Sequence, residues 1–272
     1  MSTLARLEPL RMYIRFVGIA IRGQMQYRAS FVMTSISVFI MTALEFVAIW
    51  ALFDRFSHLR GWSLSEVAFL YGTVNIAFSL CEAFGAGFDR FAGMVKGGSF
   101  DRVLLRPRRA AFQIAVSEIQ AFRVGRSIQG VIILTWACVS AEIALTPAHC
   151  ALALGAILGG ACLFMGLFVL QATLAFWTIE SLEVVNIFTY GGMETAQYPL
   201  TIYKTWFRRF FTFVVPIACI NYFPALAIFE RAESAGLPGW VPWLSPLLGV
   251  AFLVVSLQIW KVGVRHYRST GS

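Results

Sequence analysis

The sequence predicts an all-α integral membrane protein with six transmembrane helices, and three observations predict it. Only 13% of the 272 residues are charged and 58% are hydrophobic, whereas a soluble domain carries about 25% charged residues. Crossing a bilayer takes about 20 apolar residues, and runs free of Asp, Glu, Lys and Arg occur at Phe210–Phe229, Gly236–Trp260 and Ile143–Ile179. The 22 Lys+Arg outnumber the 14 Asp+Glu, a formal charge of +8. In a soluble protein that balance points to nucleic acid; here it reads as one basic membrane face, and no nucleic-acid partner is expected.

The elements follow in chain order. Leu4–Met25 is amphipathic: Arg11, Arg15 and Arg22 fall within an arc of about 40° at helical spacing, with Tyr13, Phe16, Val17 and Ala20 opposite. A basic, apolar-backed helix of this kind lies in the interface plane, its arginines near anionic headgroups, so membrane lipid is an expected partner. Arginines scattered among the apolar positions of this region argue against a cleavable signal peptide, which needs a compact apolar core followed by small residues. The predicted spans are Ala29–Phe53, Leu64–Phe88, Ser127–Leu145, Cys150–Trp177, Phe210–Phe229 and Trp243–Gly263. Ala111–Arg126 carries Glu118, Arg123 and Arg126 and reads as a cytoplasmic extension of the third span. Ser181–Lys204 is too polar for an ordinary span and is broken by Gly191-Gly192 and Tyr198-Pro199. It is interfacial or re-entrant, and the sequence leaves the two open. The chain is expected to form one membrane domain: 1–28 the interfacial helix and its approach, 29–263 the six-span bundle, 264–272 a cytoplasmic tail.

Lys and Arg gather on the cytoplasmic side of membrane proteins. An even number of spans puts both termini on one side. That side is expected to hold Arg6, Arg11, Arg15, Arg22, Arg28, Arg90, Lys96, Arg102, Arg106, Arg108 and Arg109, then Lys204, Arg208, Arg209, Lys261, Arg265 and Arg268. The opposite loops offer only Arg55, Arg60 and Arg231. Both termini are therefore predicted to be cytoplasmic.

Several chemistries lack their signatures. There is no GxxxxGK[ST], so the chain has no Walker A device for ATP, and neither HExxH nor GxSxG occurs. His58, His149 and His266 lack metal-ligand spacing, and no metal site is expected. The five cysteines (Cys81, Cys138, Cys150, Cys162, Cys219) are dispersed without a CxxC and read as small apolar residues. No catalytic residues are expected. Polar residues inside spans are functional candidates by default. Glu45 lies in the outer half of the first span, about 24 Å of helix rise beyond Ala29. Glu82 lies in the inner half of the second, so the two do not form a carboxylate pair. Each either lines a polar pathway, meets a partner subunit, or is satisfied locally. Ala151, Gly155 and Gly159 set small surfaces on one face of the fourth span, a pattern that favours close helix packing.

The most informative interruption is "GGSFDRVLLRPRR", Gly97–Arg109. Ser99 is a good helix N-cap, Asp101 complements the helix dipole in the first turn, and Pro107 turns Arg106 away from helical geometry. The prediction is a helix of about two turns over Phe100–Leu105, presenting Phe100, Leu104 and Leu105 on a cytosolic surface among arginines. Short cytosolic helices with exposed apolar anchors suit docking into a groove of a soluble partner.

This phrase resembles the Gly-x-Phe-Asp-x-x-Leu-Leu-x-Pro motif of a bacterial branch of the ABC-2 type transporter permeases. "YPLTIY" (Tyr198–Tyr203), "RRFFTFVVPIACINYFPA" (Arg208–Ala225) and the tail "YRSTG" (Tyr267–Gly271) are similar to further motifs of that branch. The resemblance implies a permease that pairs as a homodimer or heterodimer, each half with six helices and each engaging a separate ABC ATPase subunit. The loop between spans two and three becomes the coupling helix, with Phe100, Asp101, Leu104, Leu105, Arg106 and Pro107 as the ATPase contact. ATP and magnesium then belong to the partner, and this chain carries no cofactor. Pro216–Pro224 becomes the outer end of the fifth span, where related permeases place re-entrant elements. The loop Glu230–Trp240 departs in its low polarity and gives no sizeable extracellular domain. The implied function is export across a bacterial inner membrane, and the uniformly apolar spans suit a lipid-like, amphiphilic or drug-like substrate. The alternatives are a non-transporting membrane scaffold or regulator and an ion-coupled secondary transporter; the latter usually shows internal repeats, and none is clear here.

Overall fold

The computed structural model describes residues 3–143, 146–178, 182–232 and 236–267. The described residues are helical, without a β-strand beyond one isolated bridge between Leu59 and Trp62. In order they form α1 (Thr3–Gln24), α2 (Arg28–Phe56), α3 (Leu64–Asp89), α4 (Phe91–Lys96), α5 (Phe100–Leu104), α6 (Ala110–Ser117), α7 (Val124–Ser140), α8 (Pro147–Leu174), α9 (Leu182–Ala196), α10 (Thr205–Phe213), α11 (Phe223–Ile228), α12 (Val241–Leu244) and α13 (Leu247–His266). Among the described residues four helical runs are long and apolar enough to cross a membrane: Arg11–Phe56, Leu64–Lys96, Pro147–Leu174 and Leu247–His266. A fifth counts only if the bent pair Thr205–Phe213 and Ala218–Ile228 is taken as one span.

Helix α3 is the axis of the bundle. Nearly all its residues from Glu66 to Phe88 are buried, because α2, α7, α8 and α9 surround it. Its start is fixed by a capping box, in which Ser63 and Glu66 satisfy each other's backbone N–H groups. The second tight seam joins α8 to α13. A Cβ on Gly249 would stand 2.0 Å from the Gly159 carbonyl oxygen, so the two backbones touch there and only glycine fits. The expected small face of α8 is thus used at one of its three positions. Gly155 reaches only the Pro246 ring and Ala151 is exposed.

One end of the bundle gathers Trp62, Phe229 and Arg231, with Arg231 paired to Glu66 at 2.7 Å. The other gathers Phe91, Phe100 and Trp260. Helix α1 lies across this Phe100 end. A straight continuation of α2 would carry Tyr13 about 16 Å past Gln24 at 1.5 Å per residue. Instead Tyr13 packs on Phe84 and Phe112 at 6.5 and 6.3 Å, while the Gln24 side chain bonds to Ile119 and Ala121. Gln120 N–H donates to the Ala83 carbonyl at 3.0 Å, which sets all these groups at one level.

Three sequence expectations change here. The stretch Ala111–Arg126 is not a straight extension of the third span. Helix α6 stops at Ser117, Glu118 is extended, and a 3₁₀ turn at Ala121–Arg123 precedes α7, because the α3 backbone and Gln24 capture the linking peptides. The α7 helix ends at Ser140, short of the expected Leu145, where Glu142 takes a positive φ of 50°; residue 145 itself lies outside the described residues.

The second change concerns Ser181–Lys204. Helix α9 runs from the Asp89 level, where the Tyr190 hydroxyl donates to Asp89 at 3.3 Å, towards the Trp62 end, where Arg60 donates to the Thr201 carbonyl at 3.2 Å. Its polar residues are accommodated inside: Thr189 and Thr195 are buried and bond their own helix carbonyls, and Gln197 is buried beside Met193. Lys204, Arg208 and Arg209 consequently stand at the Trp62 end with Arg60 and Arg231, not with Arg90–Arg109 as the charge pattern suggested. Ser181 and Arg268 lie outside the described residues, as do all residues of the "YRSTG" tail beyond Tyr267; the side chain of Arg6 is likewise not described.

The third change is the fifth predicted span, Phe210–Phe229. It is not one straight helix but two, Thr205–Phe213 and Ala218–Ile228, bent by 82° to one another. From the Trp62 end α10 descends to Ile217, which packs over Gly192, and Ile220 packs over Gly160 near Ala77. Ala77 lies about 20 Å along α3 from Leu64. The chain then climbs back until Phe229 meets Trp62 and Phe69 at 6.4 and 5.4 Å. Two prolines cause this. Pro216 has no N–H to continue α10, and the wide π turn Ala218–Tyr222 relieves the clash of the Pro224 ring with the carbonyl one turn earlier. Pro216 is therefore at the deep bend, not at an outer end. Irregular backbone at such depth must be buried and bonded. Asn221 does this, its side-chain amide donating to the carbonyls of Ala196 at 2.7 Å and Leu70 at 3.3 Å.

Candidate coupling surface

The loop after α4 is built by a helix stop followed at once by a helix start. Gly97 and Gly98 N–H groups return to the Gly93 and Val95 carbonyls, and Ser99 N–H to Met94, all within 3.1 Å. Gly98 stands at φ 66°, the left-handed conformation that ends a helix and that glycine adopts without strain. The Ser99 hydroxyl donates to the Met94 carbonyl at 3.2 Å. It therefore closes α4 rather than capping α5, contrary to expectation, and α5 begins with Ser99 already helical and no side-chain cap. Asp101 lies in the first turn as expected. The helix is Phe100–Leu104, with Leu105 as its C-cap.

Phe100 is the largest correction in this loop. It was expected on the surface and is fully buried. Its ring sits edge-on to Phe91 and Tyr267, with centroids 4.9 Å from each, and against Phe176 at 5.6 Å and Trp260 at 6.4 Å. Aromatic pairs at such separations contribute about 0.5–1.5 kcal/mol beyond the apolar area they bury. Val103 is buried on the same side. On the far side Gln113 donates to the carbonyls of Val103 at 3.0 Å and Arg108 at 2.9 Å, clamping the loop to α6.

With Phe100 and Val103 turned in, the rest of the helix turns out. Leu104 is 43% and Leu105 86% exposed, and Arg102, Arg106, Pro107, Arg108 and Arg109 are exposed around them. The result is a rigidly mounted apolar knob in a cationic collar, at the same end as α1. On α1, Tyr13, Val17, Ala20 and Gln24 face inward while Arg11, Arg15 and Arg22 are exposed.

The two glutamates differ sharply. Glu82 is buried between Arg123 and Arg126, at 2.9 and 3.3 Å, and Arg126 also lies over the Phe78 ring. This triad, with the exposed Arg90–Glu118 pair, ties α3 to the start of α7. Glu45 is half-buried, 3.5 Å from the Tyr71 hydroxyl, which itself donates to the Thr42 carbonyl at 2.6 Å. The two carboxylates have different partners. The aromatic socket of Phe100 and the arginine partners of Glu82 escaped sequence reasoning. Tyr267, the first residue of the tail motif, was the one available signal for the socket. Among the described residues no group of His, Cys, Asp and Glu is arranged to hold a metal ion.

No curated protein and no solved structure matches this chain. Residues 39–271, from the middle of α2 through the tail, do match the family described as ABC-2 family transporter protein. The loop between α3 and α7, the buried socket and the re-entrant hairpin all fall within that match, and the chain belongs to the ABC-2 transporter family.

Proposed function

We propose that this chain is the membrane subunit of an ATP-driven exporter and that its ATPase partner docks on α5. Permeases of this family normally work with an ABC ATPase and are membrane transport components without catalysis of their own. The observation that carries the docking reading is the pairing of a fully buried Phe100 with Leu104 and Leu105 exposed one turn away. A helix fixed by a side chain sealed into the bundle transmits displacement, because packed interiors shift as units rather than deform. The exposed leucines fit a groove, and the surrounding arginines fit an acidic rim. ATP and magnesium belong to the partner.

In this reading the domain spans the chain and crosses the membrane six times, through α2, α3, α7, α8, α9 and α13. The termini and the Phe100 end are cytoplasmic, α1 lies along the inner interface, and α10–α11 dips in from the outer side without crossing. A second permease, identical or related, completes the pathway, and Glu45, with its partial exposure, is the polar residue offered to it. Glu82 acts instead by holding α7 over the loop. The cargo is an amphiphilic, lipid-like or drug-like molecule, and the setting is a bacterial inner membrane. The test is co-purification of the full chain with its ATPase. Leu104→Asp combined with Leu105→Asp is expected to abolish assembly and ATPase stimulation while leaving thermal stability within about 0.5 kcal/mol, as for exposed positions generally. Unchanged stimulation would refute the docking assignment.

A further inference from the structure

The outer face of the re-entrant hairpin holds a cavity of about 550 Å³. Its wall includes Arg208 and Arg209 from α10, Thr201 and Thr205, and an apolar floor containing Tyr222 and Leu226. Among the described residues no carboxylate lines it, and neither arginine has an acidic partner within salt-bridge distance. The Thr201 hydroxyl is buried beneath this wall without a hydrogen-bond partner. Two guanidiniums that share a cavity wall without an acidic partner among the described residues are matched by an anion from outside the chain.

The amphipathic layout of α10 aims these groups. Thr205, Arg208, Arg209 and Thr212 share one side of the helix at 100° per residue. Phe207, Phe210 and Phe211 pack inward on the other, Phe207 on Tyr203 at 4.8 Å and Phe210 on Phe188 at 5.7 Å. Trp206 and Phe213, 67% and 82% exposed, flank the polar side. Cations are disfavoured on the outer side of a membrane, so Lys204, Arg208 and Arg209 clustered there need a reason other than topology. This last point uses the orientation proposed above, whereas the geometry of the cavity does not.

We infer that this cavity binds a phosphate-bearing anion, the guanidiniums gripping the phosphate and the apolar floor taking what is attached to it. Arginine matches phosphate oxygens with paired donors, and a cavity of this size holds a headgroup with the first carbons of a chain. The site stands apart from the coupling surface and requires no ATPase, so its failure leaves the docking reading untouched.

The experiment uses the purified full chain in detergent, with retained phospholipid measured by native mass spectrometry. Phosphatidylglycerol is compared with phosphatidylcholine, and glycerol 1-phosphate serves as a soluble competitor. The wild type is expected to hold one tightly bound phosphatidylglycerol that Arg208→Gln/Arg209→Gln weakens about thirtyfold, taking each surface cation's known contribution. Arg208→Gln alone is expected to weaken it about fivefold on the same basis, which decides the matter should the double variant misfold. Arg208→Lys/Arg209→Lys keeps most of the binding, and Arg265→Gln at the opposite end leaves it unchanged. Displacement by glycerol 1-phosphate would identify a soluble phosphate ester as sufficient; resistance to it would identify an amphiphile. Equal retention of the two lipids, or a tight lipid that survives both glutamine variants, would overturn the inference.

Discussion

The two ends of the bundle each carry a short helix set aside from the spanning ones, and the two are held in opposite ways. At the Phe100 end, α5 is plugged into the bundle by one aromatic ring, and the apolar residues left over, Leu104 and Leu105, face outward. At the Trp62 end, α10 turns its phenylalanines inward and its arginines into a cavity. The contrast separates two kinds of surface. An apolar knob on a rigid mount offers buried area to a protein, whereas unmatched cations over an apolar floor offer neutralisation to an anion. At that end two acidic groups are consumed by the bundle itself, Glu82 by two arginines and Glu118 by a third.

The comparison breaks most readily at the socket. Phe100→Ala should cost about 4 kcal/mol locally, in the range for buried aromatic truncations. It should appear as rapid hydrogen exchange and proteolysis across 97–109 together with lost ATPase stimulation; a loop that stays protected would mean that Phe100 is not its mount. Glu82→Ala comes next. It leaves two guanidiniums beside an emptied site, which costs 3–5 kcal/mol when fully buried. Arg123 keeps 24% of its side chain exposed, so about 3 kcal/mol is expected in a thermal unfolding assay. Arg90→Ala, which removes the exposed Arg90–Glu118 pair, serves as a reference of under about 1 kcal/mol. At the other end, Asn221→Leu removes both donors that bind the re-entrant turn, for about 2 kcal/mol. Its effect should be confined to exchange in 214–224 and to lipid retention, leaving ATPase assembly intact. Least disruptive is a pair of single cysteines, Ser99→Cys and Lys204→Cys. Placed one at a time in a chain whose five native cysteines are replaced by Ala, with at most about 1 kcal/mol lost with the Ser99 hydrogen bond, they should be labelled by membrane-impermeant reagent from opposite sides; labelling from the same side would return Lys204 to the inner face.

Much of the fold was legible because it follows from local composition. Apolar length placed α2, α3, α8 and α13, and Gly97-Gly98, Asp101 and Pro107 delimited α5 to within a residue. The errors share one cause. Ser99 looked like an N-cap because the preceding helix's claim on its hydroxyl is a contact five residues back. Phe100 looked like a surface anchor because four rings from three separate parts of the chain form its socket. Phe210–Phe229 looked like one span because Pro216 and Pro224 signal a break but not how far the helix axis turns. Ser181–Lys204 looked too polar to pack inside the bundle because its polar residues find their partners only among the assembled helices.

By itself, then, the sequence determined the solvent. Its hydropathy dictates helices in a bilayer, and the order of its motifs matches one transporter family, since transfer free energies and turn geometry act over a few residues. The tertiary structure decided which apolar groups remain outside and which end of the bundle holds Lys204, Arg208 and Arg209. Those outcomes depend on which surfaces meet across the chain, and neither hydropathy nor charge count carries that information.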